Sequence, residues 1–291
     1  MLVAKIIDLE KYPHQYLAEL CSLTVCKHEF IISLAGCQIL SNGTQGCLFI
    51  QHYPYPTLED VVCESEKGLT ERKAMVILSN LVSGLDYIHR HRIAHHDLTP
   101  GNILLEKKSG RVKIIDFGLS IAFESDHPSV LHSSGTPLFM SPEVLQNSKH
   151  NPILCDIWSL GVILYFMLTN SFPWSNFQKS KDELLQCIFK EKPDLSGFSE
   201  SIKTLIQGML SSDPEERWIL SEIQLIVTEF LEKEMEERRE YQSKIRDTKK
   251  KKRKSLDWSK KVKKEKKPPT SQKRRKARST NRPSLEKRAE T

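Results

Sequence analysis

The sequence HHDLTPGN at residues 95–102 is followed by DFG at residues 116–118. This pair of motifs supplies two carboxylates, Asp97 and Asp116, and one amide, Asn102, within a short stretch of chain. Either motif alone is common by chance, because an aspartate beside a histidine often only caps a buried loop. Both motifs together, in this order and at this spacing, indicate a site built for chemistry.

The two motifs resemble the catalytic loop and the metal-binding motif of eukaryotic protein kinases. Phosphoryl transfer needs a carboxylate that orients the substrate hydroxyl and further groups that hold Mg²⁺ on the phosphates, because positioning and charge neutralisation dominate this chemistry. The resemblance implies that Asp97 is the catalytic base and that Asn102 and Asp116 bind the metal. It therefore predicts ATP and Mg²⁺ as cofactors and proteins as substrates.

Upstream residues extend the resemblance to the nucleotide site. The segment VAKII at residues 3–7 resembles the third strand of the kinase fold, which carries a catalytic lysine, here Lys5. Glu19 occupies the position of the glutamate that pairs with this lysine. The resemblance predicts these nucleotide-binding residues: Lys5, Glu19, Gln51, Tyr53, Asn102, Leu104 and Asp116.

Downstream residues continue the resemblance. The segments Gly-Thr-Pro at residues 135–137 and Ser-Pro-Glu at residues 141–143 are similar to the segment that docks substrate. They favour serine and threonine over tyrosine as acceptors. The resemblance implies that Glu143 pairs with Arg217 and that Asp156 anchors the catalytic-loop backbone. The positions of the family's regulatory spine are occupied by Leu23, Leu34, His95 and Phe117. This complete set favours an active enzyme.

Hydrophobic periodicity predicts an α+β fold. Apolar or β-branched segments at residues 2–7, 30–34 and 47–50 predict an antiparallel sheet, and helical spacing dominates after residue 58. Together with the resemblance, this predicts a bilobal protein-kinase-like fold with a reduced N-lobe sheet and a mainly α-helical C-lobe. The predicted parts are a kinase-like domain at 1–228 (partial N-lobe 1–53, C-lobe 54–228), a helical extension at 229–247 and a disordered basic tail at 248–291.

Three positions depart from the kinase pattern. Only four residues precede Lys5, so the family's glycine-rich loop has no counterpart here, which predicts weak activity or an incomplete chain. Thr99, counted among the catalytic residues, stands where a lysine usually contacts the transferred phosphate. His96 replaces the arginine that pairs with an activation-segment phosphate, and an imidazole of reference pKa about 6.5 is mostly neutral at cellular pH. Control by phosphorylation of that segment is therefore not expected.

Basic charge is concentrated at the C-terminus. Residues 248–291 hold 20 Lys and Arg against 4 Asp and Glu, a net charge of +16, while residues 1–247 carry −9. Runs such as KKKKRK at residues 249–254 resemble nuclear import signals and would also attract nucleic acid. We expect a nuclear protein, with the cytoplasm as a second location, whose tail binds an import receptor or nucleic acid.

Other classes of protein are disfavoured. The longest apolar run is about half of the ~20 residues that a membrane-spanning helix needs, so no membrane partner is expected. The seven cysteines contain no CxxC pair, which suits a reducing compartment. The neighbouring histidines are not expected to bind zinc with one another, because most lie near a helix end: His89, His91, His95 and His96.

Two alternatives to an enzyme stay open. A pseudokinase scaffold or regulatory interaction protein is favoured by the short N-terminus and by Thr99. A nucleic-acid-binding module rests on the tail alone, since the acidic domain would repel phosphate backbones.

Overall fold

The computed structural model describes residues 1–41, 43–125, 127–174 and 180–265. The strands are β1 (Leu2–Asp8), β2 (Leu34–Ile39), β3 (Gln45–Gln51), β4 (Ile93–Ala94), β5 (Ile103–Leu105), β6 (Val112–Ile114) and β7 (Ile121–Ala122). The helices are α1 (Pro13–Val25), α2 (Leu58–Cys63), α3 (Glu71–Arg90), α4 (Pro142–Leu145), α5 (Pro152–Thr169), α6 (Lys181–Lys190), α7 (Glu200–Met209) and α8 (Leu220–Glu265). The chain divides into two compact units, Met1–Glu236 and Glu237–Thr291, and the first holds all of these strands.

The N-terminal sheet is antiparallel with the strand order β1-β3-β2. Ile7 of β1 is buried with Leu48 of β3 and Tyr16 of α1 in a small core of their own. Because side chains alternate along a strand, Lys5 points to the same face as Ile7, towards α1. A Cβ added to Gly46 would lie only 2.5 Å from the Tyr16 ring, so glycine permits the close approach of helix and sheet.

One predicted strand is wrong. Residues 30–34 were expected to form a strand, but β2 begins only at Leu34. Ile31 and Ile32 bury their side chains in the main core, and the Ile32 amide donates to the Ile114 carbonyl of β6 at 3.0 Å. The segment is a connector that packs on the helical part, and a short apolar run does not distinguish a connector from a strand.

Helix α5 is the centre of the helical part. The Asn151 side chain caps its first turn by accepting from the Ile153 amide, and Asn170 ends it in the left-handed conformation. Trp158 on this helix stacks on Trp174 with ring centroids 5.3 Å apart. By length and composition alone α5 could cross a membrane, but 83% of it is buried inside the fold. We therefore interpret it as the core helix of the domain.

A buried ion pair joins α4 to the segment before α8. Arg217 donates from Nη1 to Oε1 of Glu143 at 2.6 Å and from Nη2 to Oε2 at 3.0 Å, which confirms the predicted pairing. Burial alone would raise the pKa of Glu143, but the hydrogen bonds and charge of Arg217 hold it below its ordinary value. Nη1 also donates to the Leu154 carbonyl of α5 at 3.0 Å, so the guanidinium connects three elements.

Helix α8 is longer than predicted. The expected extension at 229–247 lies within it, but the helix also covers residues 248–265, where disorder was expected. The reason is composition, since this stretch is rich in Lys, which is a good helix former, and contains no Gly or Pro. Residues 266–291 of the predicted tail lie outside the described residues.

We expect Arg217→Ala to lower the free energy of unfolding by about 3–5 kcal/mol, because it leaves a buried carboxylate without its charge partner. Denaturant unfolding followed by circular dichroism measures this change. The matched control is Lys203→Ala, which removes a lysine from a solvent-screened pair with Glu200 at 2.7 Å. It should change stability by no more than about 0.5 kcal/mol. Equal losses in the two variants would contradict the prediction.

Candidate active site

One buried carboxylate holds the backbone of the catalytic loop. Asp156 of α5 is fully buried, and its two oxygens accept the amides of His95 and His96, each at 2.8 Å. The His89 ring nitrogen Nε2 lies 2.8 Å from the same carboxylate. Burial alone would raise the pKa of Asp156, but His89 and the amides hold it below its ordinary value. The predicted anchor is confirmed, and it fixes the backbone just before Asp97.

Asp97 faces Asn102 and the activation segment, the name used here for residues 116–143. Its Oδ1 accepts from the amide of Thr136 at 2.9 Å and from the Thr136 hydroxyl at 3.0 Å. Asn102 donates from Nδ2 to the backbone carbonyl of Asp97 at 2.9 Å. The amide nitrogen of Asn102 therefore braces the loop, and its Oδ1 is left as the atom that suits a metal ion.

Lys5 lies between two carboxylates. Its Nζ is 2.6 Å from Oε2 of Glu19, the predicted pair, and 2.9 Å from Oδ1 of Asp116. Burial lowers the pKa of Lys5, but the two carboxylates outweigh burial and raise it above its ordinary value. Burial raises the pKa of Asp116, but Lys5 and the Gly118 amide together keep it below its ordinary value. In Glu19 burial dominates over Lys5, and the pKa is raised.

The predicted spine residues come together in the interior. The His95 ring meets Phe117 edge to face with centroids 4.9 Å apart, and its Nε2 lies 3.0 Å from the Ile115 carbonyl. Phe117 and Leu23 belong to the main core, and Leu34 packs against it. The DFG motif is thus packed between α1 and the catalytic loop.

A cleft of about 450 Å³ contains the ion pairs of Lys5. Its volume lies within the range of about 300–1,000 Å³ that is usual for small-molecule sites. Six of the seven predicted nucleotide-binding residues line it: Lys5, Glu19, Gln51, Tyr53, Leu104 and Asp116. Asn102 is outside this lining and lies beside Asp97. The prediction missed the remaining wall: Val3, Ala4, Ile32, Ile50, His52 and Ile115. Strand alternation from Lys5 could have found Val3.

Thr99 and His96, the two residues that differ from the kinase pattern, are both buried. Thr99 is 7% exposed, and in the described part of the chain no hydrogen bond joins its hydroxyl to Asp97 or Asn102. Burial lowers the pKa of His96 to about 4 despite the nearby charge of Asp156. His96 is therefore neutral near pH 7, as its reference pKa suggested. Its φ of 62° is uncommon for a residue other than glycine.

Comparison with known proteins agrees with this geometry. Residues 1–231 match the family described as Protein kinase domain. The chain belongs to the protein kinase family. The matched region of this kinase domain includes the N-terminal sheet, the cleft, the catalytic loop and the activation segment, and the predicted α+β kinase-like fold is confirmed.

Similar proteins are serine/threonine kinases by name. The chain is 34% identical to the probable serine/threonine-protein kinase CCRP1 of Zea mays, over 60% of this chain and 28% of that protein. It is 36% identical to serine/threonine-protein kinase 36 of Mus musculus, over 54% of this chain and 12% of that protein. It is 32% identical to the probable serine/threonine-protein kinase MARK-B of Dictyostelium discoideum, over 79% of this chain and 32% of that protein. The matches thus span less than a third of each relative.

We expect Asp156→Ala to speed hydrogen exchange at the amides of His95 and His96, because both lose their acceptor. The free energy of unfolding should fall by about 3–5 kcal/mol, the cost of breaking a buried charged network. Mass-spectrometric hydrogen exchange over the catalytic loop measures the first effect.

The matched control is Ser159→Ala, which removes a hydroxyl of the same helix that donates to the Phe139 carbonyl at 2.8 Å. It should cost about 1 kcal/mol and leave exchange in the catalytic loop unchanged. Unchanged exchange at His95 and His96 in Asp156→Ala would show that other contacts hold the loop.

Proposed function

We propose that this kinase domain transfers the γ-phosphate of ATP to serine and threonine hydroxyls of proteins. The position of Lys5, 2.6 Å from Glu19 and 2.9 Å from Asp116, carries the proposal. Glu19 is 1% exposed, and its second oxygen has no hydrogen-bond partner within the described residues. Burying such a carboxylate costs free energy. Because the buried Glu19 carboxylate holds Lys5 despite this unfavourable free energy, we infer that Lys5 is positioned to bind a charged ligand. The cleft beside Lys5 has a volume that fits a nucleotide.

The chemistry of the cleft suits ATP with Mg²⁺. Apolar side chains such as Leu104 and Ile115 provide a wall for a purine, and Lys5 provides positive charge for the phosphates. Oxygen ligands are the ones that Mg²⁺ requires, and Asp116 with Oδ1 of Asn102 would supply them. Bound there, Mg²⁺ would neutralise phosphate charge.

Asp97 is the proposed base for the acceptor hydroxyl. Thr136 engages its Oδ1, while its Oδ2 has only a long contact of 3.4 Å with Asn102 and is better placed to accept a new hydrogen bond. As the acceptor oxygen bonds to the γ-phosphorus, its proton passes to Asp97. The bond from that phosphorus to the bridging oxygen breaks, and ADP leaves with the electron pair.

The names of similar proteins and a motif in the activation segment support serine and threonine as the acceptor residues. The relatives are named as serine/threonine kinases, and the motif Gly-Thr-Pro at residues 135–137 is typical of that group. A pseudokinase scaffold is the competing candidate. The side chain of Thr99 favours it, because a hydroxyl replaces a cation near the transferred phosphate.

We expect the full chain to transfer labelled phosphate from ATP with Mg²⁺ to a mixed protein substrate, on serine and threonine. Asp97→Asn should lower kcat by about 10²–10⁴-fold, because general-base catalysis contributes a rate factor of this size. It should not weaken ATP binding. Asp116→Ala should abolish Mg²⁺-dependent transfer. Filter-bound radioactivity measures transfer, and fluorescence of a nucleotide analogue measures binding.

The matched control for the lysine is Lys108→Met, which alters an exposed lysine that does not line the cleft. Lys5→Met should lose activity, and Lys108→Met should keep it. Transfer at the level of Asp97→Asn by the unmodified chain would favour the scaffold.

We further propose that the basic residues after 247 direct the chain to the nucleus by binding an import receptor. Lys249 to Lys254 form an unbroken basic run on α8, and all six side chains are exposed. Import receptors bind such runs through acidic surfaces, so exposure of the charge is the property that matters.

We expect a fluorescent fusion of the chain to accumulate in the nucleus, and deletion of residues 248–291 to abolish this accumulation. The control replaces every lysine of that segment by arginine, which keeps the charge and should preserve accumulation. A deletion variant that stays nuclear would contradict the proposal. Salt-sensitive retention of the full chain on nucleic acid, without receptor binding, would instead favour the alternative partner.

A further inference from the structure

Outside the nucleotide cleft, three side chains from separate parts of the sequence converge in the interior. His96 belongs to the catalytic loop, His150 lies between α4 and α5, and Cys155 lies in the first turn of α5. One ligand atom from each residue lies within 4.8 Å of those of the other two. All three are at most 8% exposed. The proposed transfer reaction uses none of these side chains.

The hydrogen bonds of His150 fix which of its nitrogens is available. Its Nδ1 lies 2.9 Å from the Ser148 carbonyl, which can only accept, so Nδ1 carries the proton. The lone pair of the neutral ring is then on Nε2, which points at Nε2 of His96 at 3.1 Å. A histidine that binds a metal through one nitrogen usually donates the other N–H to a carbonyl in this way.

The spacing of the two nitrogens is that of ligands on one ion. Two nitrogens bound to a tetrahedral Zn²⁺ at 2.0–2.1 Å lie about 3.3 Å apart, close to the 3.1 Å between the two rings. The other nitrogen of His96, Nδ1, is buried and has no hydrogen-bond partner within the described residues. Nδ1 stays without a partner whether Nε2 of His96 binds a proton or an ion, so it does not distinguish the two states.

Cys155 provides a sulfur next to this pair. Its Sγ accepts a hydrogen bond from the Ser141 hydroxyl and donates one to the Asn151 carbonyl, each at 3.3 Å. Burial raises the pKa of this thiol, so a bound ion has to displace its proton. Oε1 of Glu143 is 3.8 Å from the sulfur, but Arg217 already holds that carboxylate.

A fourth ligand is close by on the activation segment. The ring centroid of His132 lies 5.2 Å from that of His96, and His132 is exposed, so its side chain can rotate inward. Three histidines and one cysteine form a nitrogen and sulfur set with the softness and number of ligands that Zn²⁺ prefers.

We propose that His96, His150 and Cys155, completed by His132, form a Zn²⁺ site that joins the catalytic loop, the activation segment and α5. When the sulfur coordinates, the Cys155 thiol releases its proton to solvent, since the thiolate is the ligand. The ion ties His132 to the loop that carries Asp97 and so orders the segment that holds Thr136. The site stands independently of the proposed phosphate transfer, because its ligands are neither nucleotide-binding nor acceptor-binding residues.

The test is metal binding by the full chain, prepared free of metal with a chelator. We expect one Zn²⁺ per chain by mass spectrometry of the native protein, a raised Tm with Zn²⁺, and slower hydrogen exchange at residues 128–136. Co²⁺ in place of Zn²⁺ should give the intense visible bands of a tetrahedral ion and a sulfur-to-cobalt charge-transfer band.

Cys155→Ser should remove the charge-transfer band and weaken Zn²⁺ binding by more than about 100-fold, beyond the loss usual for an outer-shell residue. His132→Ala changes an exposed residue and should leave the apo fold intact, while it weakens binding by about tenfold or more. The controls are Cys63→Ser and His14→Ala, an exposed cysteine and an exposed histidine outside the cluster, which should bind as the unmodified chain does.

Failure to retain one Zn²⁺ per chain would overturn the proposal, and the histidine pair would then be a hydrogen-bonded part of the core. Binding that His132→Ala and Cys155→Ser leave unchanged would also overturn it, because the ion would lie elsewhere. If Cys155→Ser does not fold, the comparison of His132→Ala with His14→Ala still decides the question.

Discussion

The active site depends on one buried carboxylate, that of Asp156, which accepts hydrogen bonds from two consecutive backbone amides. Removing a charge from solvent is expensive, and Asp156 recovers the cost only because three donors, the amides of His95 and His96 and the ring of His89, converge on it. The convergence forces His96 into a left-handed backbone conformation. Next to that turn, Asp97 accepts hydrogen bonds from Thr136 of the activation segment, and the His96 ring stacks on His150, which precedes α5.

The charge arrangement across the cleft is a second constraint. Lys5 faces two carboxylates, so the cleft carries an excess of negative charge when it is not opposed by a ligand. A nucleotide alone would add more negative charge, whereas a nucleotide with a divalent cation would balance it. This charge balance supports the proposed binding of a nucleotide together with Mg²⁺. Burial raises the pKa of Glu19 despite the opposing charge of Lys5.

The sequence was informative where a fixed motif links partners, and uninformative where only the fold links them. The pairs of Lys5 with Glu19 and of Glu143 with Arg217 could be predicted because each member lies in a recognisable segment. His150 and Cys155 carry no such signal, since 54 residues of chain separate His150 from His96 and tertiary packing alone unites them. The prediction of a strand at residues 30–34 was wrong because apolar residues indicate burial but not backbone conformation. The length of α8 was underestimated because charged composition was read as disorder, although the same residues are strong helix formers.

Helix α5 carries several of these anchors on one rigid body. Asp156 holds the catalytic loop, Ser159 holds the Phe139 carbonyl of the activation segment, and the Leu154 carbonyl holds Arg217. A displacement of this helix would carry all three attachments with it and leave their mutual distances unchanged. Small structural changes elsewhere should therefore move these three attached segments together and leave their relative positions unchanged. Unfolding of α5 should disrupt all three attachments in a single cooperative step.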